Sequence, residues 1–171
     1  MQFKIRIATK ADIGPLDAMF SRSYPKLLKA DYQPSVLVVA IPLITRAQAG
    51  LITSGRYYVA EAEDGSLLGA GGWSQTTPHG GVLEPGHAHL RHFATSAEAT
   101  GRGIGRAVFK QCLIDANKVE ISEFECFSTL TAEGFYANLG FKKLADLQLE
   151  LRPGILFPSI HMTRALRRTK K

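Results

Sequence analysis

Ten residues, TGRGIGRAVF from Thr100 to Phe109, place glycine at three alternate positions directly ahead of an apolar helical pattern. Glycine is a costly way to begin a helix unless the backbone must curl tightly or something must approach it closely. The first amides of a helix lack internal partners, and the macrodipole adds roughly half a positive charge at that end. Without Cβ atoms such a turn makes an anion cradle, best suited to a phosphate or pyrophosphate. A tight strand-to-helix turn with no ligand would use the same glycines for geometry alone. The ten residues by themselves leave both readings open.

Two familiar phosphate loops do not fit. A Walker loop needs a Lys-Ser/Thr pair after its second glycine, and none follows here. A dinucleotide fingerprint counted from Gly101 meets Arg106 where glycine is required. Counted from Gly103, it meets Val108 where glycine or alanine is required. The turn also lies past mid-chain rather than in an opening βαβ unit. Neither a nucleoside triphosphate nor a nicotinamide cofactor is the expected ligand.

The hydrophobic pattern around the turn sets its context. Phe3, Ile5 and Ile7 alternate, which predicts a strand with one apolar face. Thr9, with Asp12 three residues on, has the spacing of a capping box. The helix that follows carries Ile13, Leu16, Met19 and Phe20 on one stripe and is limited by Pro25. Residues 27–51 predict one or two short helices. RYYVAEAE and LLGAGGWSQ read as strands joined by a DGS hairpin turn. TTPHGGVLEPG is a loop. HAHLRHFAT is a strand running into the glycine turn, and the helix beyond spans about Gly103 to Asn117. ISEFECFST is a strand, TAEGFYANLG a short helix ended by Gly140, and FKKLADLQLEL and SIHMTRAL two closing strands. This order predicts an α/β fold, a mixed sheet with helices on both faces. The strand–turn–helix–strand passage can place its two strands parallel.

The 171 residues fit one domain, 1–171, with a basic, frayed tail over 165–171. A net charge of +6 and a pI near 9.5 suit an anionic ligand. No basic run interleaved with aromatics and no zinc-finger or RNP-like pattern occurs, so nucleic acid is not an expected partner. Cys112 and Cys126 form no CxxC and read as buried small hydrophobes of a reduced, cytoplasmic protein. The N-terminus lacks the apolar core of a signal peptide. The longest apolar run, Val36 to Ile44, is too short for a bilayer and contains Pro42, so no membrane contact is expected. His79, His87, His89 and His92 fall within fourteen residues. On a regular strand His87 and His89 share a face and His92 points the other way. With no cysteine among them and Glu84 in the loop, a metal site is not expected.

TGRGIG resembles the Q/R-x-x-G-x-G/A motif of the GNAT N-acetyltransferase superfamily. The resemblance continues through IRIATKADI, YYVAEAEDGSLLGAGGW and LRHFATSAEATGRGIGRAVF. TAEGFYANLGFKKL is similar to the family's A-x-x-FYxxLGF segment, and its spacing from the glycines matches. Thr100 stands where the motif has Gln or Arg, Ala97 where a proline is common, and Thr129 where an asparagine is frequent.

The resemblance implies a mostly antiparallel sheet of six to seven strands with a splayed parallel pair in the middle. It implies acetyl-CoA as co-substrate. Thr100, Gly101, Arg102, Gly103, Ile104, Gly105 and Arg106 would then cradle its pyrophosphate. Phe93, Ala94 and Thr95 would pair with the pantetheine arm as a strand edge does. Tyr136 matches the family's general acid. His89 sits where some members carry a glutamate and is the candidate base. Tyr24, Tyr32 and Trp73 are candidate acceptor-site aromatics. The implied activity is direct acetyl transfer to a primary amine of a small molecule or peptide in a ternary complex. The alternative is a non-catalytic acyl-CoA-binding sensor. The acceptor, a homodimeric state and the role of the histidines are left open.

Overall fold

The computed structural model describes residues 2–166. Its seven strands are β1 (Phe3–Ile7), β2 (Tyr57–Ala62), β3 (Leu67–Ser74), β4 (His87–Thr95), β5 (Glu123–Thr129), β6 (Lys142–Arg152) and β7 (Ile155–Ala165). They form one sheet in the order β1-β2-β3-β4-β5-β7-β6. Every neighbouring pair is antiparallel except β4 and β5. The helices are α1 (Ile13–Leu28), α2 (Pro34–Ile44), α3 (Ala49–Ile52), α4 (Ile104–Lys118) and α5 (Glu133–Asn138).

Period-two alternation sends each strand's apolar residues to two cores. On one face Val108, Phe109 and Cys112 of α4 pack with Phe124, Phe141 and Met162. On the other, Leu16, Phe20 and Leu28 of α1 pack with Ile52, Tyr57 and Val59. Each such large side chain contributes roughly 1.5–3 kcal/mol by leaving water.

The parallel pair is short. His87 pairs with Glu123, Ala88 with Phe124 and His89 with Glu125, and the pairing stops there. β4 runs on to Thr95 and β5 to Thr129, so the two strands part beyond His89.

Several expectations change in detail. α1 does not stop at Pro25 but continues to Leu28. A proline in the last turn forfeits one backbone bond, and the extra turn buries Leu28. Ile7 is exposed, leaving Phe3 and Ile5 to pack on the core. The chain end is not frayed from 165: Ala165 ends β7, and the N–H of buried Leu166 donates to the Ser122 carbonyl at 2.8 Å. The rest of that basic tail, 167–171, lies outside the described residues.

His92 also departs from simple alternation. Its φ is +49°, and the β3–β4 register slips there between Ala70 and Gly72. This bulge turns His92 to the α1 side, where its ring stacks on Phe20 at 4.2 Å. It thus shares the face of His89 instead of opposing it, and Phe93 is re-aimed toward α4 and α5.

Candidate active site

The parted strands open a cleft of about 590 Å³. Its walls come from both faces of the sheet. Ser23, Tyr24, Leu27 and Leu28 belong to the last turns of α1. Phe93, Ala94 and Thr95 are the end of β4 that no longer pairs with β5. Thr100, Gly101, Gly103, Ile104, Gly105 and Arg106 form the glycine turn and the start of α4. Thr129, Ala132, Phe135, Tyr136, Asn138 and Leu139 close the far side from β5 and α5. Arg106 is the one charged side chain in that wall among the described residues.

The glycines do separate things. Gly101 and Gly103 have φ of +74° and +77°, a region costly for any residue with a Cβ. Gly105 lies at a close approach instead: a Cβ there would come within 2.8 Å of the Phe135 ring. Gly103 is the N-cap of α4, and the first bond of the helix runs from Ala107 N–H to Gly103 O at 3.0 Å. Among the described residues, no backbone bond outside regular elements uses the amides of Gly101, Gly103, Ile104, Gly105 or Arg106. The turn therefore offers donors, a helix dipole and an arginine to one patch of the cleft, the chemistry of an anion site. These features fit the diphosphate of coenzyme A. Upstream, the loop is tied down by the Ala97 N–H to Ser23 Oγ bond of 3.1 Å.

Beyond His89, β4 has a strand partner only on its β3 side, where Ala94 faces Ala70 and Thr95 faces Gly69; the His92 carbonyl further accepts from the Tyr57 hydroxyl at 2.7 Å. At Phe93–Thr95 its other edge lines the cleft without a strand partner, as strand addition requires.

Tyr136 is 7% exposed and sits on α5 with its ring 6.3 Å from that of Phe93. Tyr24 reaches the same cleft from α1. Burial pushes both phenols well above their ordinary pKa, and no hydrogen bond contributes to either shift. Both stay protonated at neutral pH and can donate.

The other candidates lie elsewhere. Arg102 is in the turn but not in the cleft wall. His89 is 1% exposed, with its ring edge-on to Phe127 at 4.6 Å and its Nε2 sealed without a partner. Desolvation pulls its pKa down to about 4. The structure does not bring it to the cleft. Trp73 is 1% exposed in the α4-side core, and its Nε1–H points to the Tyr58 hydroxyl at 3.4 Å. Tyr32 stacks on Phe157 at 4.6 Å, donates to the Pro158 carbonyl and accepts from the Leu130 N–H. Both aromatics hold the fold together and line no part of the cleft.

Sequence reasoning missed the α1 wall of Ser23, Leu27 and Leu28. It is an ordinary helix surface until the fold brings β4 beside it. Phe135 and Asn138 stood inside the quoted FYANLGF segment, and that motif was the signal for them.

Known proteins share this fold. The sequence model of the family described as "Acetyltransferase (GNAT) domain" matches residues 42–163. No curated protein matches the chain by sequence. Among solved structures, the chain is similar to the PaiA N-acetyltransferase of Thermoplasma acidophilum in complex with coenzyme A, with a TM-score of 0.73 and 17% identity over 97% of this chain and 100% of that one. It is similar to an acetyltransferase of the GNAT family from Staphylococcus aureus, with a TM-score of 0.65 and 13% identity over 97% and 100% of the two chains. It is also similar to the N-acetylglutamate synthase of Neisseria gonorrhoeae complexed with coenzyme A and N-acetyl-glutamate, with a TM-score of 0.63 and 20% identity over 98% of this chain and 36% of that one. No helix among the described residues is long and apolar enough to cross a membrane. The family match covers most of the chain and includes the glycine turn, the parted strands and the FY helix, so this chain belongs to the GNAT acetyltransferase family.

Proposed function

We propose that the protein is an N-acetyltransferase that moves the acetyl group of acetyl-CoA to a primary amine by direct attack. The observation that carries this reading is one cleft that passes between the parted strands and ends on a turn where the amides of Gly101, Gly103, Ile104, Gly105 and Arg106 are in no backbone bond outside regular elements. In this reading the amides of residues 101–106 hold the diphosphate, with Arg106 adding positive charge. The free edge of β4 at Phe93–Thr95 pairs with the pantetheine amides.

The amine nitrogen attacks the thioester carbonyl carbon and the C–S bond breaks. Tyr136 gives its hydroxyl proton to the departing thiolate, the nitrogen sheds its extra proton to solvent as the amide forms, and the phenolate is reprotonated from solvent. A raised pKa keeps that proton in place until it is needed. The attacking ammonium must lose a proton first, from a pKa of about 10.4 for a lysine-like amine. His89, sealed and pulled down to about 4, is too weak a base for that task. Solvent in the cleft takes the proton, and Tyr24 shapes the entry on the α1 side. Two free, buried cysteines suit a reducing cytoplasm.

Calorimetric titration with coenzyme A and acetyl-CoA, followed by an acetyl-transfer screen over polyamines, aminoglycosides, amino acids and peptide N-termini, tests the reading. Binding of the cofactor with turnover on an amine is expected. No heat at millimolar cofactor would overturn it.

A further inference from the structure

β6 is the last strand of the sheet, and among the described residues it pairs with β7 alone. It runs for 11 residues, Lys142–Arg152, without a proline. Its register with β7 slips near each end, between Lys143 and Ala145 and between Glu150 and Arg152. An unpaired edge of this length is a template for another strand, and chains that stay alone blunt it with proline or inward-facing charge. β6 carries leucine on its inward face instead. Leu147, Leu149 and Leu151 are each half-buried. Leu149 stands opposite Phe157 of β7, and Leu149 and Leu151 pack on the core that holds Leu16, Phe20 and Leu28 of α1. Asp146, Gln148, Glu150 and Arg152 alternate with the leucines, and all four are exposed.

The sequence of the edge, DLQLELR, narrows what can lie against it. In an antiparallel pair of identical strands the twofold axis keeps every side chain on its own face. Each allowed register is therefore centred on one residue that meets its own copy. Centred on Asp146 or on Glu150, a carboxylate meets itself. Centred on Leu147, Lys142 meets Arg152, and centred on Gln148, Asp146 meets Glu150. Centred on Ala145, Lys143 and Asp146 are set against leucines. Centred on Leu149, Asp146 meets Arg152, Leu147 meets Leu151, and the Gln148 amide can donate to the Glu150 carboxylate, each of these twice. Opposite charges facing across strands stabilise the pair and like charges destabilise it. Asp146 already touches Lys143 at 2.7 Å, but its side chain is 82% exposed and has room for a second cation.

We infer that a second copy of this chain adds to the open edge of β6, antiparallel and centred on Leu149, so that two sheets become one. Main-chain hydrogen bonds along the seam supply affinity, and the Asp146–Arg152 pairs fix the register. The two leucine stripes meet on the inward face and leave water together. The contact is isologous: each β6 edge is filled by one partner, so assembly through it stops at two. β7 and β5 stand between this seam and the parted strands, so both clefts stay open.

Sedimentation equilibrium of the full chain, from micromolar to millimolar concentration, tests the assembly. A mass of twice 18.7 kDa is expected. Arg152→Asp sets carboxylates against each other at both ends of the seam and should raise the dissociation constant about tenfold or more. Asp146→Arg should do the same with guanidinium groups. The double variant, with the two charges exchanged, should return toward the native value. Leu149→Lys brings two ammonium groups together on the axis and should leave a monomer. Leu149 is half-buried, so circular dichroism checks that this variant folds, while the charge exchange involves exposed side chains alone. A monomer throughout would overturn the inference and leave the edge to a partner of another sequence. A dimer that neither single charge variant weakens would overturn it too, since its seam would lie elsewhere. So would a double variant that binds no tighter than the single ones.

Discussion

Gly105 and Phe135 touch so closely that a Cβ on Gly105 would lie 2.8 Å from the ring. The start of α4 and the helix bearing Tyr136 are therefore set against each other through a position that only glycine fills. Gly105→Ala should force the two helices apart at an overpacking cost of about 1–3 kcal/mol. Thermal melts should show the loss of stability, and calorimetry should show weaker coenzyme A binding. Gly101→Ala meets no neighbour within 4 Å, but its φ is +74°, so its cost comes from the backbone alone, about 1–2 kcal/mol.

Tyr136→Phe separates chemistry from binding. No hydrogen bond holds the hydroxyl among the described residues, so its loss leaves the packing with Phe93 and Phe141 in place. The kcat should fall by about 10²–10⁴ while the dissociation constant for coenzyme A stays nearly unchanged. A raised phenol pKa also means that the acid remains protonated through moderately alkaline pH, so the native rate should show no fall from its titration below pH 10. A turnover unaffected by the substitution would remove Tyr136 from the chemistry.

The fold was legible where local chemistry and long-range packing agreed. HAHLRHFAT becomes β4 over the same residues, and the glycine turn opens a helix as its spacing implied. What the sequence could not display is partnership. Alternation put His89 on a strand face, but only the neighbouring Phe127 makes that face a sealed one. Tyr24 and Tyr32 lie eight residues apart and look alike in sequence. One reaches the cleft and the other has both ends of its hydroxyl claimed by the chain around Leu130 and Pro158. The bulge at His92 escaped because a single positive φ in a non-glycine residue leaves no compositional mark.

Arg6 and Asp12 bind the start of the chain to the first helix. Arg6 donates through both terminal nitrogens to the two Asp12 oxygens at 2.8 Å, and the Thr9 N–H donates to the same carboxylate at 2.8 Å. These bonds hold the Asp12 carboxyl below its usual range. A depressed carboxyl pKa stabilises the fold above the unfolded value, near 3.9, and that share is lost as pH falls through the folded value. Asp12→Ala should cost about 1–3 kcal/mol at pH 7 in urea titrations, since it strands the Thr9 N–H and leaves the Arg6 guanidinium with Glu61, 2.8 Å from its Nε, as its remaining carboxylate. At pH 2 the native and variant proteins should differ far less.

The buried imidazoles make the opposite half of the acid response. His89 and His92 are both pulled down to about 4 by desolvation, from an ordinary value near 6.5. Protons then bind the unfolded chain before the folded one. Stability is complete above the unfolded value, falls as pH drops from about 6.5 to about 4, and flattens below that. The loss amounts to roughly 3 kcal/mol for each histidine. His89→Phe isolates one of them: its Nε2 has no partner to lose and its ring already packs on Phe127, and the bond forfeited is that of Nδ1 to the Leu90 carbonyl at 2.7 Å. The variant should lose about 1–3 kcal/mol at pH 7 from the orphaned Leu90 carbonyl and should shed less between pH 6.5 and 4, measured as the difference in urea midpoints. Its acetyl-transfer rate should remain within a few fold of native. A collapse of kcat at full stability would instead make His89 the base, and would require the sealed ring to open to the cleft during turnover.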